Sequence, residues 1–430
     1  MRRHWLSLFG RQSKPPPIAE LMNLALTQPG LIYLAAGFTD PDTLPIEEVR
    51  IIVDDVLSDE NCGKSALQYG STKGLPKLRE LTAERLQRVD LGLPPGVADA
   101  DRVVITHGSQ QLLYLLIEAL CDPGDVVLVE DPTYFVFLGL LEGRGVKTHG
   151  VKLTPDGVDL DHFDYVLRRL VSSGEIKRLK LFYIVTYAHN PTGIVWSFVK
   201  KAAVLERLLR IEKLAGHPVF LVEDAAYRDL LFENRHENSA LKISDSKARV
   251  IYVGTYTKPF ATGIRVGFGL LPPQLIDPVL NIKANHDFGT SQFIQYVVCR
   301  ALESGLYERH LGVLHEHYRA KALVMKDAIE KWFPSYIDVW HPTGGLYYWI
   351  RLPRHQCTGP RSKLFRTALR QGVLYVPGCY CYARDPWRKV PNHEMRLSFG
   401  SASASEIQKG VKRLGEVIKS ISSYHTRRQT

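Results

Sequence analysis

From about residue 102 to residue 269, strand-like and helix-like segments alternate without interruption. Short apolar runs rich in β-branched residues fall at 102–106, 126–129, 179–185, 219–222, 250–253 and 266–270. Most are apolar throughout, as expected of strands covered on both faces. Between them, 109–120 and 199–214 space their apolar residues at the helical period. This order predicts an α/β doubly wound sheet, a class that binds ligands at the carboxyl ends of its strands.

Past residue 285 the texture changes. A long helical region is predicted over 291–331. A strand then follows a glycine turn in Gly344-Gly345-Leu346-Tyr347-Tyr348-Trp349-Ile350. A helix near 361–371, a strand at 395–399 and a last helix from Ser405 complete a smaller α+β domain. The expected division is 1–48 as N-terminal arm and part of the small domain, 49–290 as large domain and 291–430 as small domain. Residues 1–17, ending in Pro15-Pro16-Pro17, read as an extended lead-in.

Apolar residues make up 45% and charged residues 23% of the 430, which excludes a disordered chain. No apolar run approaches the roughly 18 residues that span a bilayer, so no membrane is expected. The apolar stretch Trp5 to Gly10, after Met1-Arg2-Arg3-His4, is too short for a signal-peptide core, and the cytoplasm is the expected compartment. Net charge is +10, but the basic residues are spread along the chain. That favours the handling of small anions over nucleic acid. Of six cysteines only Cys379 and Cys381 are close, and His310, His315 and His317 lack metalloprotease spacing, so no metal site is expected.

Four strand ends carry the chemistry. Thr106-His107-Gly108-Ser109-Gln110-Gln111 opens a helix, where free N–H groups and the helix dipole suit an anion. Taken alone it is also an ordinary cap at Ser109. In Tyr187-Ala188-His189-Asn190-Pro191-Thr192-Gly193 the dipeptides mark a turn, and Asn190 offers an amide donor. Val222-Glu223-Asp224-Ala225-Ala226-Tyr227 ends in an acidic pair that serves either as a helix cap or as partner of a protonated heterocyclic nitrogen. Thr255-Tyr256-Thr257-Lys258 sets an amine between hydroxyls, with Arg265 seven residues on. Such a lysine can form a Schiff base, and the arginine can neutralise a phosphate.

In this order the four segments resemble the fold-type-I, pyridoxal 5'-phosphate (PLP)-dependent aminotransferases of class I/II, nearest to the α-aminoadipate and kynurenine aminotransferase branch. The resemblance covers nearly the whole chain, from about Ile18 to about Ile418. It implies the aspartate aminotransferase-like fold, with a large, mostly parallel seven-stranded sheet. It also implies that Lys258 bonds PLP covalently, that Asp224 holds the pyridine nitrogen, and that Asn190 and Tyr227 bond the ring oxygen. Gly108, Ser109, Gln110, Thr255, Thr257 and Arg265 fall on phosphate-cup positions. Tyr134, in Glu130-Asp131-Pro132-Thr133-Tyr134, matches the aromatic stacked on the ring, and Tyr69 matches a tyrosine that reaches the neighbouring subunit's phosphate. A homodimer with shared sites is thereby implied. Arg396, in Met395-Arg396-Leu397-Ser398-Phe399, matches the clamp for the substrate α-carboxylate. Gly37, in Ala35-Ala36-Gly37-Phe38, matches a segment that closes over the substrate, where Asn190 and Tyr69 also fall.

The chain departs from the family at Thr257, where serine is common, at Pro259 directly after the lysine, and at Ala261-Thr262-Gly263. The expected activity is transamination, in which an L-amino acid (2-aminoadipate-like or aromatic) gives its amino group to a 2-oxo acid such as 2-oxoglutarate by ping-pong kinetics. Elimination, oxidation or cyclisation on the same fold is the alternative reading. A ligand-sensing regulator is a remote one, since such proteins carry a DNA-binding domain ahead of a fold that here starts near residue 18.

Overall fold

The computed structural model describes residues 5–28, 30–35, 37–232 and 237–426. Met1 to His4 and Ala36, part of two motifs above, lie outside the described residues. The large sheet runs in the order Val103–His107, Val266–Leu270, Val250–Thr255, Phe220–Asp224, Leu179–Val185, Val126–Asp131, Lys147–Thr154 and Gly157–Val158. Val266–Leu270 is antiparallel to both neighbours, and the neighbours from Val250–Thr255 through Lys147–Thr154 pair in parallel. Every residue of Val126–Asp131, Phe220–Asp224 and Val250–Thr255 is buried. Each buried Val, Ile or Leu of these strands contributes about 1.5–3 kcal/mol, and this anchors the strand ends that carry the site.

The sheet has eight strands, not the expected seven. Lys147–Thr154 was not anticipated, because polar residues interrupt its apolar ones. It turns back through Gly157, whose φ of +136° an L side chain rarely adopts, and adds the two-residue strand Gly157–Val158. The predicted helices are observed as Gly108–Leu120 and Phe198–Ala215. The single helix expected over 291–331 is two, Gln292–Glu303 and Leu306–Trp332, broken at Ser304-Gly305 where Gly305 has φ +69°. Within the expected extended lead-in, Leu8–Gln12 forms a short helix capped by the Ser7 hydroxyl on the Gly10 N–H.

A second, antiparallel sheet is ordered Asp338–Trp340, Tyr347–Arg351, Glu394–Ser398 and Val376–Pro377. Trp349 lies opposite Arg396 in this register, so Tyr347, two residues away, shares the face of Arg396. Near the N-terminus, Ile32–Tyr33 pairs in parallel with Val373–Leu374. The segment after Gly37 is moored by Asp40, which accepts from Lys321 and from His317 at 2.9 Å, while Lys321 also donates to the Gly400 carbonyl at 2.8 Å. No helix among the described residues is long and apolar enough to cross a membrane.

One buried ion pair fixes the loop that follows Phe220–Asp224. Asp90, wholly buried, accepts from Arg228 Nη1 at 2.8 Å, from the Ser239 N–H at 2.9 Å and from the Ser239 hydroxyl at 2.6 Å. Burial works against the Asp90 carboxylate, but these donors outweigh it and hold its pKa below the ordinary value. The stability it lends is present above pH 4 and is lost as pH falls through the lowered pKa. Asp90→Ala leaves Arg228 buried and unpaired, and urea denaturation at pH 7 should show a loss of about 3–5 kcal/mol. A loss under 1 kcal/mol would mean that the pair does not brace this loop.

Candidate active site

A cavity of about 160 Å³ opens at the carboxyl ends of the parallel strands. One end is built for an anion. The helix Gly108–Leu120 begins after His107, which supplies no side-chain cap, so its first N–H groups remain free. Gly108 has φ +69°, and a Cβ there would stand 2.6 Å from Arg265 Nη2. The missing side chain is what lets the guanidinium close on the helix start. Gly267 acts likewise from the next strand, since its Cβ would overlap the Ser109 nitrogen. Ser109, Gln110, Thr255 and Thr257 line the same end. The Thr255 hydroxyl accepts from the Thr257 N–H at 3.0 Å and donates to the Val266 carbonyl at 3.1 Å, which fixes this turn.

Asp224 lines the cavity and is 4% exposed. Its carboxylate accepts from the Tyr183 hydroxyl at 2.7 Å and from the Ala226 N–H at 3.0 Å. Burial pushes its pKa up to about 6; the Tyr183 and Ala226 bonds oppose that rise and the charge of Glu130 adds to it. Lys258 projects into the cavity and donates from Nζ to the Gly37 carbonyl. Loss of water pushes the amine down to about 8, and the cations Arg265 and Arg396 push the same way.

Asn190 and Tyr227 form a further wall. The Asn190 Oδ1 accepts from Arg396 Nη1 at 2.7 Å, which leaves its amide hydrogens for the cavity. Arg396, 2% exposed, also donates from Nη2 to the Ala35 carbonyl at 2.6 Å. Its Nε has no partner, and its guanidinium lies 4.2 Å from the ring centre of Tyr347 and 5.4 Å from that of Phe135. Tyr134 lines the cavity too, with its hydroxyl 3.4 Å from Gln110 Oε1.

The structure thus brings Ser109, Gln110, Tyr134, Asn190, Asp224, Tyr227, Thr255, Thr257, Lys258 and Arg265 to one cavity, with Gly37, Gly108 and Arg396 against it. Tyr69 is not brought there. It is 80% exposed and rests on Phe288, ring centres 5.4 Å apart. Two residues of the site escaped the sequence reading. Tyr183 is a polar aromatic in an otherwise apolar strand end, a signal that points to a partner across the sheet. Tyr347 lies in the strand after the Gly344-Gly345 turn, with no local motif to mark it, and its hydroxyl meets that of Tyr227 at 2.8 Å.

The donor set fits PLP. A cationic cradle that a Cβ at residue 108 would fill suits the phosphate, a buried acid suits a protonated ring nitrogen, and an amine of lowered pKa suits the carbonyl.

Comparison with known proteins agrees. The family profile "Aminotransferase class I and II" matches residues 31–414. An aromatic-amino-acid aminotransferase of Thermococcus litoralis is 32% identical over 94% of this chain and 92% of its own length. A 2-aminoadipate transaminase of Thermus thermophilus is 30% identical over 97% and 98%. The crystal structure of a Pyrococcus horikoshii kynurenine aminotransferase, in complex with PMP, superposes with a TM-score of 0.86 at 29% identity and 97% coverage of both chains. The chain therefore belongs to the class I and II aminotransferases, PLP enzymes of the aspartate aminotransferase-like fold.

Proposed function

We propose that this transaminase takes its amino group from an aromatic or 2-aminoadipate-like L-amino acid and passes it to a 2-oxo acid such as 2-oxoglutarate. The observation that carries the substrate reading is the buried Arg396, whose Nε has no partner and whose guanidinium lies against the rings of Tyr347 and Phe135. A guanidinium so placed binds the α-carboxylate of either donor class, and the rings beside it favour the aromatic donors. The names of the relatives, aromatic, 2-aminoadipate and kynurenine, support the same donors.

PLP, when bound, supplies the electron sink that lets an amino acid lose its Cα proton. The chain's own residues do the rest. Lys258 holds the cofactor through Nζ; Gly108, Ser109, Gln110, Thr255, Thr257 and Arg265 hold its phosphate. Asp224 keeps the proton on the ring nitrogen, with Tyr183 and the Ala226 N–H fixing the carboxylate. Asn190 and Tyr227 donate to the ring oxygen, and Tyr134 covers the ring. Arg396 orients the substrate by its carboxylate, which aims one Cα bond for cleavage. Nζ, freed when the substrate amine takes its place on the cofactor, would then accept the proton from Cα, and burial, by keeping its pKa below the ordinary lysine value, favours the neutral amine this needs. Gly37 belongs to the segment that excludes water. Tyr69, exposed in one chain, serves the phosphate of a second copy in a homodimer.

The decisive experiment loads the protein with PLP and adds single amino acids without an oxo acid. Loss of the visible band with one equivalent of 2-oxo acid formed ranks the donors; the aromatic acids and 2-aminoadipate should react fastest. Product without loss of the band would favour elimination, oxidation or cyclisation. Lys258→Ala should lose the visible band and at least a thousandfold in turnover, and a variant that keeps wild-type turnover would remove Lys258 from the mechanism.

The lowered lysine pKa gives a second test on the cofactor-free protein. Only neutral Nζ attacks a carbonyl, and with a pKa of about 8 about a tenth is neutral at pH 7 and about half at pH 8. The rate of PLP capture should rise about tenfold from pH 6 to 7 and about fivefold from pH 7 to 8, and level off above about pH 9. A rate still climbing at pH 10, as for an ordinary lysine, would contradict the assignment.

A further inference from the structure

Tyr347 touches three parts of the site at once. Its hydroxyl lies 2.8 Å from that of Tyr227. Its ring lies 4.2 Å from the Arg396 guanidinium, a neighbour on the same face of the small sheet. Its hydroxyl also occupies the space that a Cβ on Gly37 would need, and the Gly37 carbonyl receives the Lys258 amine. Plain packing would explain the ring, which meets the Tyr227 ring edge-on with centres 5.7 Å apart. It would not explain a hydroxyl aimed at another hydroxyl in a buried place, where each polar group needs a partner.

We propose that Tyr347 is a positioning residue for the reaction, with its hydroxyl strengthening Tyr227 as a donor and its ring backing the Arg396 clamp. The inference rests on the reading above, in which Tyr227 donates to the ring oxygen of PLP. Each phenol has one proton to give. If Tyr227 gives its proton to the cavity, the proton between the two tyrosines comes from Tyr347. A donor that itself accepts a hydrogen bond is polarised and donates more strongly. Burial pushes the Tyr227 phenol well above its ordinary range, so it stays protonated and able to donate. The ring has a separate task, since an electron-rich face behind a buried guanidinium stabilises the cation and fixes its plane.

Two variants separate the tasks. Tyr347→Phe keeps the ring and removes the hydroxyl, and Tyr347→Leu removes both. Each is purified with PLP beside the wild type, the visible band is titrated with pH, and KM for the amino acid is taken from the half-reaction. The titratable and charged groups facing the pair are Tyr134 and Arg396, with Lys258, Asp224 and Arg265 lining the same cavity. They are unchanged in both variants, so a shift reports the tyrosine. Weaker donation by Tyr227 leaves the ring oxygen more basic, so the midpoint should move upward. For Tyr347→Phe the expected result is a rise of about half a unit, a threefold change in proton affinity, with KM within twofold. For Tyr347→Leu the same rise should come with a KM increased about tenfold. An unchanged midpoint in Tyr347→Phe overturns the role of the hydroxyl, and Tyr347→Phe decides that point even where Tyr347→Leu fails to fold. An unchanged KM in a folded Tyr347→Leu overturns the role of the ring. A wild-type protein with no visible band is a different failure, that of the cofactor reading itself.

Discussion

A buried guanidinium without a carboxylate of its own organises the site. Among the described residues every partner of Arg396 is neutral: the Asn190 amide oxygen, the Ala35 carbonyl and the faces of Tyr347 and Phe135. These partners come from four separate stretches of chain: the turn after Leu179–Val185, the segment before Gly37, the small sheet, and the helix beginning at Phe135. Holding one cation therefore brings the two sheets and the N-terminal segment into register. The cost of burying an unpaired charge is several kcal/mol, and a bound carboxylate, as proposed above, would relieve it.

The same logic runs through the cavity. Asp224 and Lys258 both carry pKa values pushed toward neutrality, one upward to about 6 and one downward to about 8. Each shift records a charge held in a place poor in water. Neither group has an opposite charge in direct contact; Asp224 relies on Tyr183 and a backbone N–H, and Lys258 on the Gly37 carbonyl. A ligand with a basic nitrogen at one point and a carbonyl at another relieves both. The structure around them is accordingly stiff: strands without exposed residues, and the Asp90–Arg228 pair bracing the loop just after Tyr227.

Much of this was legible in the sequence because the chemistry is local. Gly108, Asn190, Asp224, Lys258 and Arg265 each sit at a strand end or in the turn beyond it, within a short motif whose turn or cap residues can be read directly. Doubly wound sheets gather such ends on one edge, so the motifs converge without further information. What escaped reading depends on register and on distant contacts. Tyr183 reaches Asp224 only because their strands pair in parallel with Val185 opposite Asp224. Tyr347 reaches Tyr227 across 120 positions and from another sheet. Lys147–Thr154 was invisible because its polar residues break the apolar pattern, and the break at Ser304-Gly305 lies inside a region that is helical on both sides.

The hydrogen bond from Lys258 to Gly37 ties the amine to a segment anchored elsewhere, since Asp40 three residues on is fastened to Lys321. If Lys258 captures the cofactor as proposed above, the imine that replaces the amine keeps at most one hydrogen, and this bond would be weakened or broken. By linkage, whatever loosens residues 37–40 makes the amine more available, and whatever clamps them makes it less so. Cofactor loading and the freedom of that strap are then two readings of one equilibrium, and a protein stripped of cofactor should hold the strap closer than a loaded one.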